Sequence, residues 1–432
     1  MQDWKKRHRR SGATPLDLVL DGGECDPGVS FDESLQHTVR TCVTQGTIRR
    51  VHLTSGDGPT LTSIISSLTP NGEGPQNENI KSIIWRNGGV FSVDVTDFLA
   101  RSRLSKLRLF SLSGNFWISS WDCLASQTTL LTTLSLRLDS PSSTPSTSHL
   151  LSLLALNPNI QQLSLSGIAI PDDADGSIFR PALPNLKNLF LVGEFRHLFG
   201  LLHQLVLPET LDEMYLGISN PTVEDISQTF GPYIRDYFQR DARFRSRLEI
   251  SPFFSTRSIS MSVNPVRTQV TTPVQNPRVT LAVTLTDSPD VLKQLFIHFI
   301  EPLPREHIVS LKDRRGKKLP EELFFMMPNI ETLHICVGLS ERFLQPNPDG
   351  PHANAKLLPS LRLLSLENVC LNDTSLGHLT KYLTHQTSDN QTISLEVRGY
   401  SRCPRVKVAS EVKGLVKELT LYLKPVGRAN LA

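Results

Sequence analysis

Apolar residues along most of the chain fall into a short recurring figure, apolar-x-x-apolar-x-apolar. Its last two positions alternate as on a brief strand, and its first anchors the approach. It recurs as Ile48, Val51, Leu53; Ile80, Ile83, Trp85; Leu107, Phe110, Leu112; Leu131, Leu134, Leu136; Ile160, Leu163, Leu165; Leu186, Leu189, Leu191; and Leu211, Met214, Leu216. After a less regular stretch come Leu292, Leu295, Ile297; Ile330, Leu333, Ile335; Leu361, Leu364, Leu366; Thr392, Leu395, Val397; and Val416, Leu419, Leu421.

From Leu112 to Leu216 successive last anchors lie 24, 29, 26 and 25 residues apart, the interval of a leucine-rich repeat. Segments with helical spacing lie between, such as Ser148 to Leu156, Glu321 to Met327 and Ser375 to Leu383. Several end at a proline (Pro158, Pro184, Pro328, Pro359), which lacks an N–H and disfavours helical geometry in the residue before it. The pattern predicts an α/β fold, a leucine-rich-repeat-like solenoid with irregular repeats and a parallel β-ribbon on its concave face. Only Asn115, three residues after Leu112, fills the asparagine place of a regular repeat.

Four segments follow: a lead-in with a first strand over 1–45, a repeat sub-array over 46–219, an irregular insert or join over 220–290, and a second sub-array with a C-terminal cap over 291–432. In the insert, Thr222 to Phe244 predicts one helix, with Phe230, Tyr233, Tyr237, Phe238 and Phe244 interleaved with Arg235, Arg240, Arg243 and Arg245. A packed amphipathic helix is favoured over a nucleic-acid surface. Ser258 to Val263 and Val279 to Leu285 read as strands.

Charge changes little, since 45 basic against 42 acidic side chains gives +3, unlike a nucleic-acid module. The six cysteines form no C-x-x-C pair, which argues against a zinc site or disulfide framework. The basic start (Lys5 to Arg10) lacks the apolar stretch of a secretory signal, and the most apolar window, Leu189 to Leu207, carries Glu194, Arg196 and His197. No membrane partner and a cytoplasmic location are expected, with a nuclear one left open by Lys5 to Arg10 and Lys312 to Lys318. Phosphate-loop, dinucleotide, zinc-protease and nucleophile-elbow motifs are lacking, so a non-catalytic chain without cofactor or metal is expected. Asp172, Asp173, Asp175 and Gly176 fail the calcium-loop pattern at both ends, His52, His298 and His334 fall at outward strand positions, and the sequons at Asn372 and Asn390 read as coincidental.

Strand alternation turns the residue between the last two anchors onto the open face, one per repeat: His52, Ile84, Ser135, Ser164, Phe190, Tyr215, Phe296, His334, Ser365 and Thr420. Phe190 and Tyr215 are expected to anchor a protein ligand about one strand spacing (~5 Å) apart, with Asn188, Glu213 and Arg137 as polar flanks and Phe296 and His334 further along. Burial of the two rings under a loop near 220–229 is the competing expectation.

Trp4 to Gly22 (WKKRHRRSGATPLDLVLDG), the Pro-Asn-Leu and Pro-Ser-Leu segments in Leu183 to Leu191 and Leu358 to Leu366, and Thr229 to Leu248 (TFGPYIRDYFQRDARFRSRL) together resemble the repeat-containing part of fungal (mushroom-type) F-box proteins. The resemblance implies a substrate-recognition component of a cullin-based ubiquitin ligase, binding a protein ligand or degradation substrate. The F-box itself would lie before Trp4 while the chain begins at Met1, so a cullin-complex adaptor is a partner only if an F-box is supplied upstream. A free-standing repeat scaffold is the alternative, and a nucleic-acid-binding protein a weaker one.

Overall fold

A computed structural model describes residues 15–22, 33–45, 48–69, 77–140, 144–167, 180–254, 258–266, 277–284, 295, 297–313, 326–335, 358–387, 393–401 and 405–425. It is a mixed α/β structure with mostly parallel strands, in two compact units, Met1–Met214 and Tyr215–Ala432.

The first unit runs β1 (Leu16–Gly22), α1 (Glu33–Thr44), β2 (Ile48–Ser55), α2 (Gly58–Leu68), β3 (Ser82–Asn87), β4 (Val93–Asp94), α3 (Thr96–Arg101), β5 (Leu109–Gly114), β6 (Phe116–Trp117), α4 (Asp122–Gln127), β7 (Thr133–Leu138), α5 (Thr147–Leu156), β8 (Gln162–Ser166), β9 (Asn188–Glu194) and α6 (Phe195–Gln204). Strands β1, β2, β3, β5, β7, β8 and β9 pair in that order, all parallel, while β4 and β6 pair separately. The apolar triplets from Ile48 to Leu191 occupy these strands and their approaches, and all are buried. Helix α5 adds Leu150, Leu151, Leu153 and Leu154 to the same core.

Local turns lead the chain into the next strand, directly after a helix at α5 and after an isolated bridge at Ala182. Leu186 N–H donates to the Leu183 carbonyl (3.1 Å) across Pro184-Asn185, and Ile160 to Asn157 (3.2 Å) across Pro158-Asn159. Proline suits the second position of such a turn and cannot continue a helix. Buried asparagines then join one turn to the next. Asn157 accepts from Leu131 N–H (3.0 Å) and donates to the Thr128 and Leu153 carbonyls (both 2.8 Å). Asn77 donates to the Leu68 carbonyl (3.1 Å) and Ser102 Oγ (2.9 Å). Asn87, two residues after Trp85, donates to the Phe91 and Asn115 carbonyls (2.8 and 2.6 Å) and accepts from Gly89 N–H. Asn115, half-buried, donates to the Gly89 carbonyl (3.2 Å). Asparagine bridging is thus carried before the strand at Asn77 and Asn157 and after it at Asn87 and Asn115, whereas the sequence pattern predicts it at Asn115 alone. Each buried bridge satisfies backbone groups that would be costly left bare. Gly114 (φ 106°) lies so close to Asn87 that a Cβ would strike the Asn87 carbonyl oxygen.

The second unit takes in the remainder of β10 (Glu213–Ser219), then a π-helical turn at Asp225–Phe230 leading into α7 (Gly231–Arg240), β11 (Leu248–Phe254), β12 (Ser258–Pro265), β13 (Arg278–Thr284), β14 (Ile308–Asp313), β15 (Thr332–Ile335), β16 (Leu363–Leu371), α8 (Asp373–Thr387), β17 (Ser394–Ser401), α9 (Arg405–Val412) and β18 (Glu418–Pro425). Strands β11, β14, β15, β16, β17 and β18 are parallel in that order, but β11, β12 and β13 form an antiparallel meander.

Three expectations are corrected here. The helix predicted over Thr222 to Phe244 ends at Arg240, because buried Asp241 accepts from Arg243 N–H (3.0 Å), starts a 3₁₀ turn and binds the Arg243 guanidinium (2.7 Å). Its aromatic positions Phe230, Tyr237, Phe238 and Phe244 are packed in the core, as the amphipathic reading expects. Leu295 and Ile297, expected on a strand, are helical, because Leu295, Phe299 and Ile300 share a buried helix face. His298 is therefore also on that helix, beside Glu301 (3.0 Å). The strand of this region is β14 instead, which the triplet pattern misses, as it misses β11. Asn372 caps α8, its Oδ1 accepting from Ser375 N–H (2.8 Å). The Asp172 to Gly176 segment, Asn390 and most of Glu321 to Met327 and Lys312 to Lys318 lie outside the described residues. Among the described residues no helix is long and apolar enough to cross a membrane.

Candidate protein-binding face

Alternation along the parallel strands of the first unit buries one set of side chains and leaves the other on the open side of the sheet. Strand register aligns that open set. The central line is Val19, His52, Ile84, Ser111, Ser135, Ser164 and Phe190, each paired with the next. His52, Ile84, Ser135, Ser164 and Phe190 thus share one line as the sequence predicts, and Ser111 joins them. Phe190 is 39% exposed and Val19 59% exposed, so the line has an apolar group at each end, with His52, Ile84 and three serines between.

Two further lines flank it. One holds Arg50, Ser82, Leu109, Thr133, Gln162 and Asn188, and the other Thr54, Arg86, Ser113, Arg137, Ser166 and Val192. Asn188 is half-buried two residues before Phe190, and its N–H donates to the Gln161 carbonyl (2.9 Å). Arg137 is exposed and lies on the other flanking line. Glu213 is exposed at the start of β10, where its N–H donates to the Lys187 carbonyl (3.1 Å). Arg86, exposed on the same line as Arg137, is the residue that the sequence reading passes over. Its signal is simple: it stands one place after the anchor Trp85, as Arg137 stands one place after Leu136.

In the second unit Lys312, His334, Ser365, Glu396 and Thr420 form a corresponding line. His334, Ser365 and Thr420 share this line, but Ser365 is buried (1% exposed), where the sequence predicts an open position. Burial, and then the Lys312 ammonium, hold the His334 imidazole below its ordinary pKa, opposed by Glu249, Glu367 and Glu396. Tyr215 is half-buried on β10. Phe190 belongs to the first unit and Tyr215 to the second, and Phe296 lies outside the described residues. Beside the line, Arg398 is bonded to Glu396 (2.6 Å) and stands over the Tyr422 ring (5.1 Å), and this bond, ahead of the pair's charge attraction, raises the Arg398 pKa. At the beginning of these strands, Glu306, Glu331, Arg362, Ser394 and Lys417 border a groove, with Glu331 already held by Arg247 (2.8 Å).

No cluster of three or more His, Cys, Asp or Glu side chains suited to a metal occurs among the described residues. What the faces offer chemically is hydroxyl, amide, guanidinium and aromatic contact laid out at strand spacing. No protein-family model matches the chain, and no curated protein matches it either.

Proposed function

We propose that the chain is a non-catalytic, leucine-rich-repeat-like α/β solenoid that binds another protein on its open sheet face, as a substrate-recognition component resembling the repeat region of F-box proteins. The observation that carries this reading is the unbroken parallel register of β2, β3, β5, β7, β8 and β9, in which each strand adds one residue to each solvent-facing line. Stacked periods of this kind make extended binding surfaces whose ligand is set by the exposed residues. Phe190, an exposed ring beside Asn188, is the anchor expected of such a surface in the first unit, while Tyr215 and His334 belong to the second unit's surface.

The test is affinity capture from cell extract with the full chain and with Phe190→Ala. Intact folding with loss of specific partners supports the reading, whereas equal capture by both removes Phe190 from the site. Cullin-complex subunits among the captured proteins support the ubiquitin role. Partners without them favour a free-standing scaffold.

A further inference from the structure

The open face of the first unit holds two arginines that form no ion pair among the described residues. Arg86 and Arg137 lie on one register line, separated by Ser113, and both are exposed. Neither has an ion pair or hydrogen bond among the described residues, and the described side chains on that line and on the central line include no carboxylate. The line starts, by backbone register, at Asp21, two strands from Arg86 and four from Arg137. Elsewhere the same molecule pairs its sheet-face arginines: Arg49 meets Asp17 (3.2 Å) and Arg398 meets Glu396 (2.6 Å).

We propose that Arg86 and Arg137 receive two carboxylates of an extended acidic segment of a protein partner, spaced three residues apart in its sequence. This rests on the protein-binding reading above and names the chemistry of the ligand. Two strand steps separate the arginines by about 10 Å. A polyproline II segment returns to the same face every third residue, advancing ~9 Å, so its side chains i and i+3 meet the two guanidiniums. Each can form a bidentate pair with a carboxylate. Ser113, between them, is small enough to let the segment lie against the sheet, and Ser111 and Ser135 on the central line add hydroxyl donors and acceptors toward its backbone. A nucleic-acid strand fits less well, because a phosphate backbone calls for a longer run of cations than two.

Panning a random-peptide library against the full chain tests this. The expected result is enrichment of peptides with Asp or Glu at i and i+3. Their affinity should fall on the order of tenfold or more for the double variant Arg86→Ala/Arg137→Ala, with an unchanged unfolding midpoint. Replacing the peptide acids by Asn or Gln should reproduce the loss. Enriched peptides without that acid spacing, or binding indifferent to the double variant, overturn the proposal. If those same peptides still depend on Phe190, protein binding stands and only the acidic clamp fails. No enrichment overturns the clamp too, leaving protein binding to be judged by the capture experiment. Binding of homopolymeric RNA that disappears in the double variant overturns it in favour of a nucleic-acid partner.

Discussion

The parallel stretch from Asn77 to Gly167 and the antiparallel meander from Leu248 to Thr284 are both built of short strands, yet they are stabilised differently. In the first, a helix and two turns separate neighbouring strands, and buried asparagines carry backbone groups across from turn to turn. In the second, β12 and β13 are joined ladder to ladder, and β13 is buried on both faces: Val279, Thr280, Leu281, Ala282 and Val283 are all enclosed. Among its cross-strand polar links are the buried hydroxyl pair Ser262–Thr280 (3.0 Å) and the Arg278 guanidinium donating to Ser262 Oγ (3.3 Å). Alternation in sequence therefore does not by itself reveal an open face. Openness comes from what the connections cover.

The contrast is sharpest at Asn157. Asn157→Ala strips one acceptor and two donors from buried backbone and should lower stability by ~3 kcal/mol, read as a reduced midpoint in chemical denaturation. A loss no larger than that of any meander hydroxyl would break the comparison. Gly114→Ala forces a side chain into the Asn87 carbonyl at a φ that suits glycine, and about 2 kcal/mol should be lost, with β3 and β5 amides exchanging faster with deuterium. In the meander, Ser262→Ala should cost about 1 kcal/mol, and adding Thr280→Val should recover part of it, since removing both hydroxyls leaves neither of them buried without the other, while the part-exposed Arg278 guanidinium that also donates to Ser262 can turn to water. A double-mutant cycle with no coupling would contradict this.

The smallest expected effect is one of pH. The His334 pKa lies below its unfolded value of 6.5, so the folded state binds fewer protons there. Its contribution to stability is complete above that value and is lost as pH falls through it toward the lower folded pKa. His334→Gln should flatten this part of the stability profile, and an unchanged slope would count against the assigned burial.

Much of the first unit is legible from the chain because one period serves both core and strand: Val51 and Leu53 through Leu189 and Leu191 sit where their spacing puts them. The proline turns are readable for the same reason, their chemistry being local. The segment around Leu295 is not, since Leu292, Leu295 and Ile297 fit strand spacing while Leu295, Phe299 and Ile300 fit a helix face, and only tertiary packing decides. Asn77, Asn87 and Asn157 escape a search confined to one place per repeat, because partners up to 29 residues away define their role. On the candidate face, the lines of exposed residues follow directly from alternation, whereas the isolation of Arg86 and Arg137 depends on which acids the fold brings near.

The carbonyls of Lys81, Arg108, Thr132 and Gln161 each accept from two consecutive N–H groups at the start of the next strand. Strands β5, β7, β8 and β9 are each thereby told by the preceding strand where to begin. Insertions and deletions that leave these bonds and the buried asparagine bridges in place can accumulate without disturbing the exposed lines, so chains of this build can diverge in length and sequence while presenting the same grid of positions to a ligand.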